Sequence, residues 1–273
     1  MVVNIRTYQT VAANEKSKGI PLSTVSSGRV WSSFPIDFAL AQNDIHVWIA
    51  GLEDAGLGLE YFADSLSLAE RDRAARFKFV LDRRRYLVAH AALRSILAAY
   101  LTANPRELQF GSGPHGKPKL ASETAHEIEF NLSHSHELAL LAVTRGQEIG
   151  IDVEHVRQDF AFDDVAKRFF TAREVAALGA LPRALQREAF YRCWTGKEAL
   201  LKGKGTGLSG SLDEVQILLA ATGVRVTPAV CDWSLTELTP ATGYVSALAV
   251  KKLYCEPQRY RWEASFLESK HHP

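Results

Sequence analysis

Residues 83–101, RRRYLVAHAALRSILAAYL, constrain this chain most. Leu93, Ile96, Leu97, Tyr100 and Leu101 recur at spacings of three and four, the period of one helix face. Such an apolar stripe has to be covered by other structure. Short strand-like runs lie on both sides of it. Ile45 to Ile49 (IHVWI) precedes it and is followed by a helical stretch that Ser67 can N-cap, Ser67 to Phe77. Leu138 to Thr144 and Ile149 to Val153 follow, joined by a turn at Arg145-Gly146-Gln147. A second helical stretch, Asp163 to Leu178, is interrupted near Thr171. A third runs from about Leu185 to Lys202 and meets a glycine stop signal, GKGTG. Strands are expected around Val215 to Leu219, Tyr244 to Val250 and Arg259 to Ser265. Helices and strands alternate in both halves, which predicts an α+β (α/β) fold.

The chain has 273 residues, 47% hydrophobic and 23% charged. That composition predicts a buried core and excludes a disordered, collagen-like or coiled-coil protein. The 32 basic and 31 acidic residues leave a formal charge of +1, which argues against a whole-chain nucleic-acid binder. The longest aliphatic runs, such as Leu138 to Val143, fall far short of the ~20 residues that span a bilayer. The first twenty residues are polar and show no apolar secretory core. Cys193, Cys231 and Cys255 form no CxxC pair. The expectation is a cytoplasmic protein with no membrane association. Residues 1–43 show no clear period and read as an N-terminal arm packed through Val30, Trp31 and Phe34.

Local charge is uneven. From Arg71 to Arg94 the balance is +6, and from Glu148 to Asp164 it is −5. One segment suits an anion and the other a cation. The triply basic start expected for the 83–101 helix opposes its dipole, a penalty that a bound anion would offset.

Asp152 and Glu154 alternate on an apolar strand, IGIDVEHV, so both carboxylates share one face. A divalent cation relieves their repulsion, and hard oxygen donors suit Mg²⁺; a solvated strand end explains the same spacing. Trp194, Glu198 and Lys202 share a helix face. Glu198 and Lys202 are either a surface pair or, respectively, a third metal ligand and a phosphate contact. Gly111 to Pro118, GSGPHGKP, nearly matches a P-loop, but Pro118 replaces the hydroxyl residue and removes an N–H, so that assignment is rejected. A plain turn or a loop approaching a base or phosphate both remain. Asn131-Leu132-Ser133-His134-Ser135 closes an apolar strand. Ser133 and His134 point to opposite faces, which disfavours a serine nucleophile with a histidine base. Thr171-x-x-Glu174 is a capping box, sufficient reason for Glu174. The histidines form no zinc pattern.

In order, these pieces resemble the 4′-phosphopantetheinyl transferase superfamily, in its longer, surfactin-synthetase-activating type. The motifs are Gly116-Lys117-Pro118, Asn131 to Ser135, Gly150-Ile151-Asp152-Val153-Glu154, Arg168-Phe169-Phe170-Thr171-Ala172-Arg173-Glu174, and Trp194 to Lys202 (WTGKEALLK). The resemblance implies transfer of the phosphopantetheine arm of coenzyme A to a carrier-protein serine, with release of 3′,5′-ADP. It implies Mg²⁺ on Asp152, Glu154 and Glu198, with Glu198, directly or through a metal-bound water, the base and Lys202 stabilising the leaving phosphate. Ser133 and His134 match phosphate contacts, Lys117 and Pro118 the loop around adenine, and Arg73 and Arg85 the 3′-phosphate contacts. The fold implied is two similar halves, 44–148 and 149–273, related by pseudo-twofold symmetry around coenzyme A in a monomer. Carrier contact is expected near the loop and helix 156–178, at residues such as Phe160, Phe162 and Leu178, which fit a core equally well. A coenzyme A phosphohydrolase and a non-catalytic binding module are the alternatives.

Overall fold

A computed structural model describes residues 31–32, 39–53, 57–113, 115–121, 127–206, 217–219, 226–228, 232–252 and 255–267. Most of the expected arm, with Val30 and Phe34, lies outside the described residues. Trp31 is buried, and Ser32 bridges to Tyr260.

The first part of the chain runs β1 (Ile45–Gly51), α1 (Leu59–Ala63), α2 (Leu68–Ala75), α3 (Val80–Leu101), β2 (Phe110–Ser112), β3 (Pro118–Leu120), β4 (Ile128–Ser135) and β5 (Leu138–Arg145). The second runs β6 (Ile149–His155), α4 (Asp163–Phe169), α5 (Ala172–Ala180), α6 (Arg183–Lys204), β7 (Ile217–Leu219), β8 (Val226–Pro228), β9 (Trp233–Leu238), β10 (Tyr244–Lys251) and β11 (Gln258–Trp262). Ser67 N-caps α2 with a full capping box through Glu70, and Thr171 does the same for α5 through Glu174. Gly205, in the left-handed region at φ 66°, ends α6.

Two larger sheets carry the fold, ordered β11-β1-β5-β4 and β6-β10-β9. Period-two alternation sorts their side chains into layers. Trp48, Leu141 and Val143 pack under α3 with Leu93, Ile96 and Leu97. From the opposite faces, Ile45, Val47, Ile49, Leu138 and Leu140 meet Ile149, Ile151, Val153 and Leu248 between the sheets. Beyond the second sheet, Ala247 and Ala249 pack against Trp194, Ala199 and Leu200 of α6. The result is a helix–sheet–sheet–helix sandwich, a mixed α+β fold. β11 pairs parallel with β1 and so joins the first sheet despite its place near the end of the chain.

Three expectations change. Helix α3 starts at Val80, a turn before the periodic stripe, because Val80 and Leu81 are solvent-exposed and leave no burial pattern to read. Arg83, Arg84 and Arg85 therefore follow a first turn that holds Asp82, which weakens the dipole argument for an anion. The +6 segment is also partly structural: buried Arg94 bonds Glu70 and the carbonyls of Pro105 and Leu108, while Arg84 bonds the Leu57 carbonyl. Phe160, Phe162 and Leu178 are core residues around Phe190, not a docking surface. Exposed apolar side chains lie instead at Phe77, Phe79, Val80 and Leu81, between α2 and the first turn of α3, and singly at Leu68 and Leu185.

His46 is buried in the layer beneath α3. Its Nδ1 lies 2.7 Å from the Tyr100 hydroxyl, and that hydroxyl accepts from Trp48 Nε1 at 2.9 Å. Nε2 is buried without a hydrogen-bond partner. Burial pushes the imidazole pKa down to about 4, against a weaker pull from Asp44. Unfolded, the ring takes up a proton near pH 6.5. Between pH 6.5 and 4 the unfolded chain thus binds a proton that the native one refuses, and stability falls as pH falls. We expect a loss of about 3 kcal/mol across that window from this residue. Urea denaturation over that range checks it, and His46→Phe is expected to flatten the slope.

Candidate active site

Strand β6 alternates between two environments. Ile149, Ile151 and Val153 enter the layer between the sheets. Gly150, Asp152 and Glu154 face the other way, toward α6. A Cβ on Gly150 would lie 2.0 Å from the Ala199 carbonyl oxygen and 2.3 Å from the Gly203 nitrogen. Glycine there lets helix and strand approach closely, which brings Glu198 and Lys202 over the two carboxylates.

Lys202 Nζ donates to Asp152 Oδ1 at 2.6 Å and to Ser133 Oγ at 3.1 Å. The Ser133 hydroxyl donates to the same Asp152 oxygen at 2.9 Å. Ser135 donates to Glu154 Oε2 at 2.7 Å. Asp152, Glu154 and Glu198 are all buried. Asp152 Oδ2 and Glu198 Oε1 have no hydrogen-bond partner. Burial pushes the Glu198 carboxyl up to about 7; Lys202 pulls it down and Asp152 adds to the rise. Burial also raises Asp152, against the pull of Lys202. Burial works against the Lys202 ammonium, yet Asp152 and Glu198 outweigh it and raise its pKa.

Three carboxylates thus face one ammonium, and two buried acceptor oxygens are unmatched. Orphaned acceptors in a buried site are costly unless a cation or donor meets them. Hard oxygen donors in this number fit a divalent cation such as Mg²⁺. Their oxygens are not drawn in to metal-binding distances of one another; Lys202 sits on Asp152 instead. Among the described residues, the group whose candidate ligand atoms all lie within 4.8 Å is Glu53, His136 and Glu137, where Arg85 bonds Glu53.

The remaining sequence candidates are spread around this centre. Ser133 lies within it. His134 occupies the opposite face of β4. Arg85 bonds Glu53 through Nε at 2.8 Å and contributes to the field at His155, at the end of β6. Arg73 is exposed, with its guanidinium over the Tyr86 ring at 5.6 Å. Pro118 is exposed at the start of β3, in a β2–β3 hairpin that pairs Ser112 with Pro118. Lys117 Nζ donates to the Ile149 carbonyl at 2.9 Å and the Gly203 carbonyl at 3.3 Å. The ammonium ties the hairpin to β6 and the end of α6, and burial lowers its pKa.

Sequence reasoning missed Lys197. It is fully buried and meets Glu174 Oε2 at 2.8 Å. Glu174 also accepts from the Thr171 and Ile217 backbone nitrogens, each at 2.7 Å. The only local signal was a lysine beside Glu198, on a helix face that its neighbours show to be core.

Residues 148–249 match the family model described as the 4′-phosphopantetheinyl transferase superfamily, and residues 58–146 match 4′-phosphopantetheinyl transferase, N-terminal. The chain is 37% identical over 233 residues to the 4′-phosphopantetheinyl transferase HetI of Nostoc sp., covering 85% of this chain and 98% of that protein. This chain belongs to the 4′-phosphopantetheinyl transferase superfamily. It is also 30% identical over 164 residues to the 4′-phosphopantetheinyl transferase Sfp of Bacillus subtilis, covering 60% of this chain and 71% of that one. A solved structure, Thermotoga maritima holo-[acyl-carrier-protein] synthase, overlaps 39% of this chain and 64% of its own at a TM-score of 0.32 and 25% identity. As a phosphopantetheinyl transferase the chain is an enzyme that modifies carrier proteins. No helix among the described residues is long and apolar enough to cross a membrane.

Proposed function

We propose that this transferase moves the phosphopantetheine arm of coenzyme A onto a serine of an acyl or peptidyl carrier protein, using Mg²⁺ held by Asp152, Glu154 and Glu198. The observation that carries this reading is the pair of unmatched buried oxygens, Asp152 Oδ2 and Glu198 Oε1, beside the Lys202 ammonium. Bound Mg²⁺ would supply charge neutralisation at the pyrophosphate. Glu198 is the residue placed to take the proton of the carrier serine. The serine oxygen then bonds to the β-phosphorus as the bond to the 3′,5′-ADP leaving group breaks. Lys202, anchored by Asp152 and Ser133, meets the charge on the departing phosphate. His134, Arg73 and Arg85 serve the phosphates of coenzyme A, and Pro118 with the Lys117 backbone lines the adenine.

A site whose parts come from both β4 and α6 of one chain supports action as a monomer. The free Cys193 and Cys255 fit a reducing cytoplasm. We place the division of the chain near residue 149, with the 22-residue helices α3 and α6 as counterparts in a pseudo-twofold pair; the match of separate family models to 58–146 and 148–249 supports it.

Mass spectrometry of an apo carrier protein incubated with enzyme, coenzyme A and Mg²⁺ tests the reading. A mass gain of one phosphopantetheine is expected. Cleaved coenzyme A with an unchanged carrier would mean hydrolysis, and intact coenzyme A with an unchanged carrier would mean binding alone. Arg85→Ala is expected to weaken coenzyme A binding about 10- to 100-fold, the loss of a charge-assisted bond, and to leave binding of 3′-dephospho-coenzyme A unchanged. Titration calorimetry with both ligands checks it; an equal loss for both would remove Arg85 from the 3′-phosphate.

A further inference from the structure

Strand β6 is an edge strand of its sheet, so alternate backbone N–H groups face away from β10 and need other partners. Side chains of β4 meet them one by one. Asn131 Oδ1 accepts from Ile151 N at 2.8 Å, Ser133 Oγ from Val153 N at 3.3 Å, and Ser135 Oγ from His155 N at 3.1 Å. Polar residues at period two on β4 thus stitch the two sheets together.

The two serines do more than the asparagine. Each hydroxyl that accepts from a β6 N–H also donates its proton to the carboxylate one residue earlier: Ser133 to Asp152 and Ser135 to Glu154. Asn131 stands in the same row opposite Gly150, where there is no carboxylate to hold. A hydroxyl fixed by a backbone N–H restrains the carboxylate it donates to before any ligand arrives, which is what preorganises a coordinating group. Repulsion would otherwise turn Asp152 and Glu154 away from each other.

We propose that Ser135 is a positioning residue for the metal ligand Glu154, so that strand β4 sets the geometry of the carboxylates carried by β6. This rests on the reading above that Asp152, Glu154 and Glu198 hold a divalent cation.

The test is Mn²⁺ binding to the full-length protein without coenzyme A, with free Mn²⁺ followed by electron paramagnetic resonance. Ser135→Ala is expected to weaken Mn²⁺ binding about 10-fold or more, the usual effect of losing a partner of a metal ligand. Ser135→Thr, which keeps the hydroxyl, is expected to stay within about twofold of wild type, well inside that range. Asn131→Ala removes the same kind of backbone bond without touching a carboxylate. It is expected to lower the melting temperature and leave Mn²⁺ affinity intact. Wild-type affinity in Ser135→Ala, or an equal loss in Asn131→Ala, would overturn the proposal by reducing Ser135 to a backbone cap. If Asp152→Asn also binds Mn²⁺ as wild type does, the metal assignment itself fails, and the positioning role with it.

Discussion

Asp152→Asn is expected to slow phosphopantetheine transfer by about 10²- to 10³-fold or more, the scale seen when one preorganised charge partner is lost, with the fold intact. Asparagine keeps the volume and an acceptor for the Ser133 hydroxyl. What it removes is one negative charge from a cluster in which Asp152 Oδ1 anchors Lys202 at 2.6 Å and Oδ2 is unmatched. Without that charge the ammonium is no longer fixed where the leaving phosphate develops, and the cation site loses a ligand. Stability runs the other way. Burial already disfavours the Asp152 carboxylate, so neutralising it relieves a desolvation penalty. The melting temperature should therefore hold within about 4 °C, equivalent to 1 kcal/mol or so. Single-turnover assays by mass spectrometry and a thermal melt check the two halves of this prediction. Wild-type turnover would refute the role given to Asp152.

Lys197→Met is expected to do the reverse and strike the fold first. Its ammonium lies 2.8 Å from Glu174 with no solvent exposure, and Glu174 is itself buried. Removing one partner leaves an uncompensated buried charge, at about 3–5 kcal/mol. Glu174 also caps α5 and accepts from Ile217 N, so its displacement loosens both elements. A fall in melting temperature of about 6–20 °C follows. Adding Glu174→Gln, which removes the charge and keeps an acceptor, is expected to restore most of it. Equal melting of the single and double variants would show that the charge is not what the pair controls.

These two lysines show how far the sequence could be read. Both stand in WTGKEALLK, and spacing put Lys202 on the face of Glu198. Spacing could not tell that Lys197 faces the core, because its partner Glu174 lies on a separate helix. Ser135 is a similar case. The alternation of Asn131, Ser133 and Ser135 was visible, yet only Ser133 had a reading there, as a phosphate contact, and the bonds of all three to β6 could not be read. Lys117 fitted a nucleotide loop by motif, and only the carbonyls of Ile149 and Gly203 reveal it as a tie across the molecule.

Backbone geometry is local, so whatever depends on a period of two or 3.6 was present in the chain of letters: the helices, most strands, both capping boxes, the shared face of Asp152 and Glu154, and that of Glu198 and Lys202. Packing alone decided that those two faces meet, that β11 returns to β1, that Phe160 and Phe162 turn inward, and which hydroxyl holds which carboxylate. A buried polar group bonds whichever neighbour folding brings within about 3 Å, and residues 19 or 86 positions apart carry no mark of that proximity until the layers close.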